Sequence, residues 1–278
     1  FSIIATVVLQ EAAARITIAS GKSLGEIISL KYQTGSNQRL KIMIFLAVAF
    51  GCAAYQAGNM LGAISGIDLV SDLNLKIWTL VLGIVCAFLL WIGNLKIIAN
   101  TLGFIVAMMG AAFIYVAFQS NIGFGEVISN AVIPNFPDGS SLLIIGRIGT
   151  TIGPYNLFLA SGISKGKDIR DMRIGITIAV IIGGLISMAI KMAGTQVTGE
   201  FSFQALADTL GSKIGSWAAV FFGFGLFAAG MSSSITSPLA AAITARSLFG
   251  QEKKEWSPKS KNFRLVWGII LLIGLAFG

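Results

Sequence analysis

The sequence predicts an all-α polytopic membrane protein, and composition, run length and charge placement each lead to that class. Hydrophobic residues make up 55% of the chain and charged residues only 12%, with a mean hydropathy of +0.83. A soluble domain carries roughly 25% charged residues. Several apolar runs approach or exceed the roughly 20 residues that cross a bilayer as a helix. The basic residues collect in alternate connections between these runs.

Eight apolar runs are expected to cross the membrane. A soluble helical bundle would need polar helix faces, which these runs lack. The first and last runs are cut short, since the chain opens within one without a Met and stops within the other. We therefore expect a fragment of a longer membrane protein. The runs are 1–19, 42–64, 75–93, 97–118, 142–163, 174–193, 214–245 and 265–278.

The charge placement predicts how the chain is oriented. The connections after residues 20, 93, 163 and 246 carry Lys22, Lys31, Arg39, Lys41, Lys96, Lys165, Lys167, Arg170, Arg173, Arg246, Lys253, Lys254, Lys259, Lys261 and Arg264. The other connections hold only Lys76, Lys191 and Lys213 beside several acids. Basic loops remain in the cytoplasm, so we expect a bacterial inner-membrane protein with these loops inside. The net charge of +8 orients the chain and is not a nucleic-acid surface.

Several kinds of chemistry lack the residues that they need. The chain has no histidine, which is the commonest transition-metal ligand and the usual proton-transfer group. Cys52 and Cys86 lie in apolar runs without CxxC spacing, so we expect packed side chains rather than a disulfide or a metal site. There is no HExxH and no pair of carboxylates within one segment. We expect neither an enzyme nor a bound cofactor.

One apolar run is interrupted by polar and helix-breaking residues. Residues 150–162 read TTIGPYNLFLASG. Pro154 lacks an N–H and clashes with the preceding turn, and Gly153 adds conformational freedom. We expect the helix to break near 151–154 and to restart through Asn156. Freed backbone groups survive in a membrane only against protein or a water-filled cavity, and transporters use such breaks to bind ions. A simple proline kink in a packed helix is the alternative.

Three stretches resemble one family. TTIGPYNLFLASG resembles the broken sixth helix of the NRAMP family of divalent-metal transporters, where the hallmark is Met-Pro-His-Asn. LQEAAARITIASGKSLGEI at 9–27 resembles its second helix, and GLFAAGMSSSITSPLAA at 225–241 its eighth. The resemblance implies a LeuT-type inverted-repeat fold, of which this chain covers helices two to nine. The first helix, which carries an Asp-Pro-Gly-Asn break and a metal-binding carboxylate, would precede Phe1.

The resemblance also implies how the chain is divided. Residues 1–119 supply helices of the first inverted repeat, without its broken helix. Residues 141–278 supply the second repeat, which is truncated and contains the broken helix 141–163. The connection 120–140 is extracellular, and its Pro134, Pro137 and Asp138 suit an irregular loop.

Departures from the family at the break change the expected substrate. Gly153 stands where the family has a thioether Met, and Tyr155 where it has His. A soft thioether favours transition metals. The ligands implied here are the carbonyls of Ile152 and Gly153, the Asn156 amide and the Tyr155 hydroxyl, acting mostly through water. Mg²⁺ keeps its waters and prefers oxygen. With these changes the chain most resembles the NRAMP-related magnesium transporters, a branch of the family that has such changes. We expect transport of hydrated Mg²⁺, with Mn²⁺ as the second cation.

The family's proton pathway is altered as well. Gln56 and Asn59 stand in the nearest register to the acids of the family's third helix, and Ala160 aligns with a second family His. Transport without proton coupling is therefore expected. The plainer role of Gln56 and Asn59 is hydrogen bonding between helices.

Other residues and classes complete the expectations. Glu11 and Arg15 lie one turn apart and should pair, while Met231 should pack rather than bind metal. Arg147, an arginine within an apolar run, suits a structural or gating role.

The alternatives for the whole chain are a LeuT-type carrier of an organic solute such as an amino acid, and a structural membrane subunit. We expect a monomer whose partners are the metal ion and the lipid bilayer.

Overall fold

The computed structural model describes residues 2–32, 37–71, 74–93, 96–119, 123–133, 138–250 and 254–278. All regular structure in these ranges is helical. The α-helices are α1 (Ser2–Ser20), α2 (Leu24–Lys31), α3 (Asn37–Asp68), α4 (Leu75–Ile92), α5 (Lys96–Phe118), α6 (Phe124–Val132), α7 (Ser141–Thr151), α8 (Pro154–Ser164), α9 (Ile169–Gly194), α10 (Phe203–Ile214), α11 (Trp217–Phe249) and α12 (Lys261–Phe277). A 3₁₀ turn at Lys254–Trp256 precedes α12.

Eight spans among the described residues are long and apolar enough to cross a membrane. Each overlaps one of the runs that the sequence predicts, and α7 and α8 together form one span, Ser141–Ser164. Large apolar side chains point outward along these helices, with Phe118 82% and Leu142 80% exposed. Such exposure is costly in water and natural in lipid. The predicted all-α polytopic membrane class is confirmed.

The two longest helices, α3 and α11, form the centre of the molecule. A Cβ atom added at Gly230 would lie 2.4 Å from the Ala63 nitrogen, and one at Gly66 would lie 2.4 Å from the Phe227 nitrogen. The two backbones therefore touch directly, as small residues permit in membrane helix pairs. The α3–α11 pair is the scaffold against which the shorter helices pack.

The remaining helices pack around this pair in separate groups. α4 and α12 cover one side, around buried Cys86, Met231 and Trp267. α5, α9 and α10 cover another, where the Phe113 and Phe222 rings meet edge to face with centroids 5.5 Å apart. α1, α2 and α8 form a third group, which brings α1 beside the break between α7 and α8.

Three short helices lie outside the predicted runs. The connection expected to be irregular contains α6, which begins after Gly123 and carries Glu126 in its first turn, where an acid suits the helix dipole. α2 begins at a capping box formed by Ser23 and Glu26. α10 is capped by Ser202, whose side chain accepts from the Ala205 N–H at 3.0 Å. Pro134 and Pro137 lie outside the described residues.

Candidate functional site

The interrupted span breaks at its Gly-Pro pair. α7 ends at Thr151, and Ile152 follows with φ −101° and ψ 38°. Gly153 then adopts φ −62° and ψ 132°, and Pro154 is the first residue of α8. A residue before proline is pushed to extended backbone, and proline is well suited to a first helical turn. The interruption is a complete gap between two helices rather than a kink within one.

The backbone carbonyls at the gap have different partners. The Tyr55 hydroxyl of α3 donates to the Gly149 carbonyl at 2.6 Å. The Thr6 hydroxyl of α1 lies 3.4 Å from the Thr151 carbonyl. Within the described ranges, no backbone N–H donates to the Ile152 carbonyl. This oxygen lies at the C-terminal end of α7, where the helix dipole favours a cation.

A small pocket lies between the gap and α1. In this conformation it is too narrow to admit a water molecule, and it is lined by Thr6, Leu9, Gln10, Thr151, Ile152, Gly153, Asn156 and Leu157. Its side-chain polar groups are hydroxyls and amides, which are neutral, and none of the lining residues carries sulfur. Amide and carbonyl oxygens are ligands that hard cations such as Mg²⁺ and Ca²⁺ accept. In the described part of the chain, no three His, Cys, Asp or Glu side chains form a metal cluster.

Limited space, rather than the backbone angle, favours glycine at the gap. Its φ of −62° is open to any residue. A Cβ atom at position 153 would lie 3.0 Å from Cε1 of Tyr155 and 3.1 Å from the Tyr55 hydroxyl. The conformational freedom that the sequence suggests for Gly153 is therefore unused, and a side chain here would require the two tyrosines to shift by a few tenths of an ångström.

The four sequence-predicted site residues do not all face the same way. Ile152, Gly153 and Asn156 line the pocket beside α1. The Tyr155 ring packs instead against the Tyr55 ring of α3, edge to face with centroids 5.0 Å apart. A role for the Tyr155 hydroxyl at the metal stays a prediction.

Sequence reasoning missed Thr6, Gln10 and Tyr55. Thr6 and Gln10 lie four residues apart in an apolar helix, a spacing that puts both on one face, and this signal was available in the sequence. Tyr55 offered no such pattern, because its role depends on contact with residues about a hundred positions away, as its bond to Gly149 shows.

Gln56 occupies a sealed position between three helices. Its side chain is fully buried, and its Nε2 donates to the Ser234 carbonyl of α11 at 3.0 Å. A Cβ at Gly274 of α12 would lie 2.2 Å from Gln56 Cγ, so only glycine fits there. The interhelical hydrogen bond predicted for Gln56 is confirmed.

The charged side chains near the predicted cytoplasmic end form ion pairs between helices. Glu11 pairs with Arg15, as predicted, and also accepts from Arg173 Nε of α9 at 2.6 Å. Glu26 of α2 lies 3.6 Å from Lys165 after α8. Exposed pairs of this kind contribute little stability, so they chiefly set helix positions. The Arg147 side chain lies outside the described residues.

The sulfur-bearing side chains are packed within the helix bundle. Cys52 and Cys86 are free and fully buried, and Met231 is 5% exposed. The Cys86 and Met231 sulfurs lie 3.6 Å apart, between α4 and α11. The predicted packing of all three is confirmed.

The fold and the gap define a class of protein: a polytopic membrane protein with a discontinuous membrane-spanning helix, as transporters use. Residues 1–278, the whole chain, match the family described as "Natural resistance-associated macrophage protein-like" (Nramp). The chain belongs to the Nramp family.

Individual relatives agree with this assignment. The protein named divalent metal cation transporter MntH of Verminephrobacter eiseniae is 26% identical over 259 residues, covering 86% of this chain and 58% of the relative. Its namesake in Erwinia tasmaniensis is 26% identical over 255 residues, covering 85% and 60%. The chain thus spans about three fifths of the length of these relatives.

The solved structures extend the likeness to the fold. A crystal structure of the Eremococcus coleocola manganese transporter, in complex with an aromatic bis-isothiourea compound, matches with a TM-score of 0.72 at 17% identity. The match covers 99% of this chain and 61% of that one. Nramp transporters adopt the LeuT fold, so the predicted fold is confirmed. The relatives are transporters and not enzymes.

Proposed function

We propose that this protein carries hydrated divalent metal cations across the membrane, Mg²⁺ in preference to Mn²⁺, by alternating access at the gap between α7 and α8. The relatives named as divalent metal cation transporters support the cation class. The observation that carries the proposal is the cluster of neutral oxygens at the gap: the Ile152 carbonyl beside Gln10 and Asn156. Nothing specific at the gap favours an organic solute.

The ligand chemistry supports the order of the two cations. The site that we propose uses the Asn156 amide and the Ile152 and Gly153 carbonyls, with the Tyr155 hydroxyl reached through water. Gly153 brings no thioether, and a site without a soft ligand loses the preference for transition metals. Mg²⁺ sheds its waters reluctantly, so a few oxygens that contact its hydration shell suit it.

The proposed transport is not coupled to protons. Gln56 is an amide in a sealed position and the chain has no histidine, so neither supplies a titratable relay. The proposed setting is the bacterial inner membrane, with a monomer whose basic connections face the cytoplasm. In this proposal, residues 1–119 and 141–278 form the two inverted repeats, joined by an extracellular 120–140.

The proposal is tested by Mg²⁺ entry into vesicles that contain the intact protein and a Mg²⁺-sensitive dye. Asn156→Ala removes the amide oxygen and should lower the initial rate roughly tenfold or more, as loss of a metal-site group does. Asn156→Asp keeps an oxygen at the same place and should retain most of the transport. Asn100→Ala, the same change at an exposed position of α5, is the matched control and should leave the rate unchanged.

The outcomes separate a ligand from a structural residue. Normal Mg²⁺ entry through Asn156→Ala removes this residue from the site. Equal loss in Asn156→Ala and Asn156→Asp, with both proteins folded, assigns Asn156 to packing and contradicts the oxygen site.

A further inference from the structure

A surface groove between α3 and α12 lies apart from the gap. We call it the α3–α12 groove. It has a volume of about 250 Å³ and a wholly apolar lining. The lining residues used below are Leu46, Ala49, Phe50 and Ala53 of α3, with Leu265 and Ile269 of α12.

The groove is shaped by small residues flanked by large ones. Ala49 and Ala53 are mostly enclosed and leave space between the helices, whereas Phe50 is 73% and Leu265 57% exposed and stand at the edges. The lining on α3 runs from Phe45 to Ala53, a length of about 12 Å along a helix. An elongated apolar trough of this kind in a membrane-spanning surface fits an acyl chain.

One end of the groove is strongly basic. Both helices begin at this end, α3 at Asn37 and α12 at Lys261. Arg39 precedes Leu46 by two turns, and Lys261 precedes Leu265 by one turn, so each basic residue lies on the helix face that lines the groove. Both residues are exposed.

The placement of these two cations is unfavourable for helix stability. A positive side chain in the first turn of a helix opposes the helix dipole, and Arg39 and Lys261 both lie in first turns. The N-terminal ends of both helices and both cationic side chains therefore lie toward the same end of the groove, which we call its mouth. Such a combination attracts an anion.

Aromatic residues mark this mouth as the membrane–water boundary. Phe45 contacts the Phe249 ring edge to face at 5.5 Å, and Phe249 lies 5.8 Å from the Trp256 ring. Tryptophan is enriched where lipid headgroups begin. Of the other basic residues at this end, Lys41 donates to Ser29 and Arg264 lies over the Trp91 ring at 3.6 Å. Arg39 and Lys261 lie on the helix faces that line the groove, and Lys254 and Lys259 are further exposed cations just before α12.

We propose that the α3–α12 groove is a binding site for one anionic phospholipid, whose acyl chain lies in the groove and whose phosphate is held at the mouth by Arg39 and Lys261. Any lipid fills an apolar surface groove; the new element is selection for a negatively charged headgroup. Juxtamembrane basic residues attract anionic lipid in this way. The site is independent of the cation path at the gap.

The test is native mass spectrometry of the intact protein in a mixture of phosphatidylglycerol and phosphatidylcholine with identical chains. The wild type should retain one phosphatidylglycerol in preference to phosphatidylcholine. The double variant Arg39→Gln/Lys261→Gln should lose that preference roughly tenfold, since each basic residue adds to the attraction. Lys167→Gln/Arg170→Gln removes two exposed charges after α8 and should keep it.

A second pair of variants tests the groove itself. Ala49→Leu fills it and should lower retention of both lipids, while Ala54→Leu adds the same side chain at an exposed position on another face of α3 and should not. Equal losses in the two charge variants would overturn the site in favour of general surface charge. Full retention in Ala49→Leu, or a groove covered by a second copy or another segment of the intact chain, would also overturn it.

Discussion

At the scale of single residues, Gly153 shows how steric contact, rather than backbone freedom, can favour glycine at a position. The α8 N-terminus needs an extended residue before Pro154, which any side chain could supply. Tyr55 and Tyr155 nevertheless approach the Gly153 α-carbon so closely that an added Cβ would lie 3.0–3.1 Å from both. The pair of tyrosines, which pack against each other, would therefore have to shift slightly to admit a side chain at position 153.

Gly153→Met should lower Mg²⁺ transport more than Mn²⁺ transport. The substitution introduces a soft thioether, which favours the transition metal, and it narrows the site. Gly153→Ala is the control, because it adds the Cβ without the sulfur and should reduce both cations to a similar extent. Uptake of the two cations is measured in competition. If the Gly153→Met and Gly153→Ala variants give the same ratio of Mg²⁺ to Mn²⁺ uptake rates, the soft-ligand argument fails.

Tyr55→Phe tests the hydrogen bond by which Tyr55 caps the C-terminal turn of α7. The hydroxyl bond to the Gly149 carbonyl at 2.6 Å is lost, while the contact between the rings is kept. We expect a loss of about 1 kcal/mol in stability, as is common for one hydrogen bond. Thermal unfolding in detergent measures it, with Tyr115→Phe at a 54% exposed position as the matched control. Equal midpoints for the two variants would show that the cap contributes nothing.

At the scale of helices, the backbone contact between α3 and α11 leaves no room for a side chain at Gly230. The atoms closest to a Cβ at Gly230 are the Ala63 nitrogen at 2.4 Å and the Asn59 carbonyl oxygen at 2.6 Å. Backbone atoms cannot rotate away as a side-chain end can, so the helices themselves would have to separate. Overpacking of this kind costs about 1–3 kcal/mol or more.

Gly230→Ala should therefore lower the unfolding temperature despite the higher helix propensity of alanine. Gly268→Ala in α12 is the matched control, since nothing lies within 4 Å of the added Cβ. It should be neutral or stabilising by up to about 1 kcal/mol. Fluorescence-detected thermal unfolding of both variants makes the comparison. A stable Gly230→Ala protein would show that the two helices move apart at little cost.

The sequence predicts the spanning helices well and the short ones poorly. Runs such as 75–93 are recognised because a helix that crosses lipid must be apolar over a continuous length. The gap is recognised because Pro154 cannot continue a helix. α6 and α10 do not need such a continuous apolar length, since they do not cross the membrane. Their existence depends on local caps and on packing, for example of Leu206 and Leu210, both 2% exposed.

The sequence likewise predicts some residues of the candidate site and misses others. Asn156 and Gly153 are identified because they adjoin the helix break. Thr6 and Gln10 reach them from α1, about 150 residues earlier in the chain, and only the contact between α1 and α8 reveals it. The contact of the Tyr155 ring with the Tyr55 ring also follows from tertiary packing and from nothing in the local sequence.

At the scale of the whole molecule, the distribution of titratable groups bears on the energy source. Gln56 is enclosed by α11 and α12 and is an amide, and residues 42–64 contain no acid. The described ion pairs, such as Glu11 with Arg173, lie at exposed positions. A proton carried with the metal would need a titratable group along the path, and the resolved core of α3 offers none.

Transport should therefore be electrogenic and driven by the membrane potential and the cation gradient alone. A divalent cation that crosses 100 mV gains about 4.6 kcal/mol, which corresponds to roughly a thousandfold accumulation without a coupled ion. A negative-inside potential should speed Mg²⁺ and Mn²⁺ entry into vesicles, while a pH-sensitive dye inside them remains unchanged. Vesicles without protein, and vesicles held at zero potential, are the controls. Acidification of the lumen that depends on the metal and on the protein would contradict the uncoupled mechanism, because Gln56 cannot carry the proton and another group would have to do so.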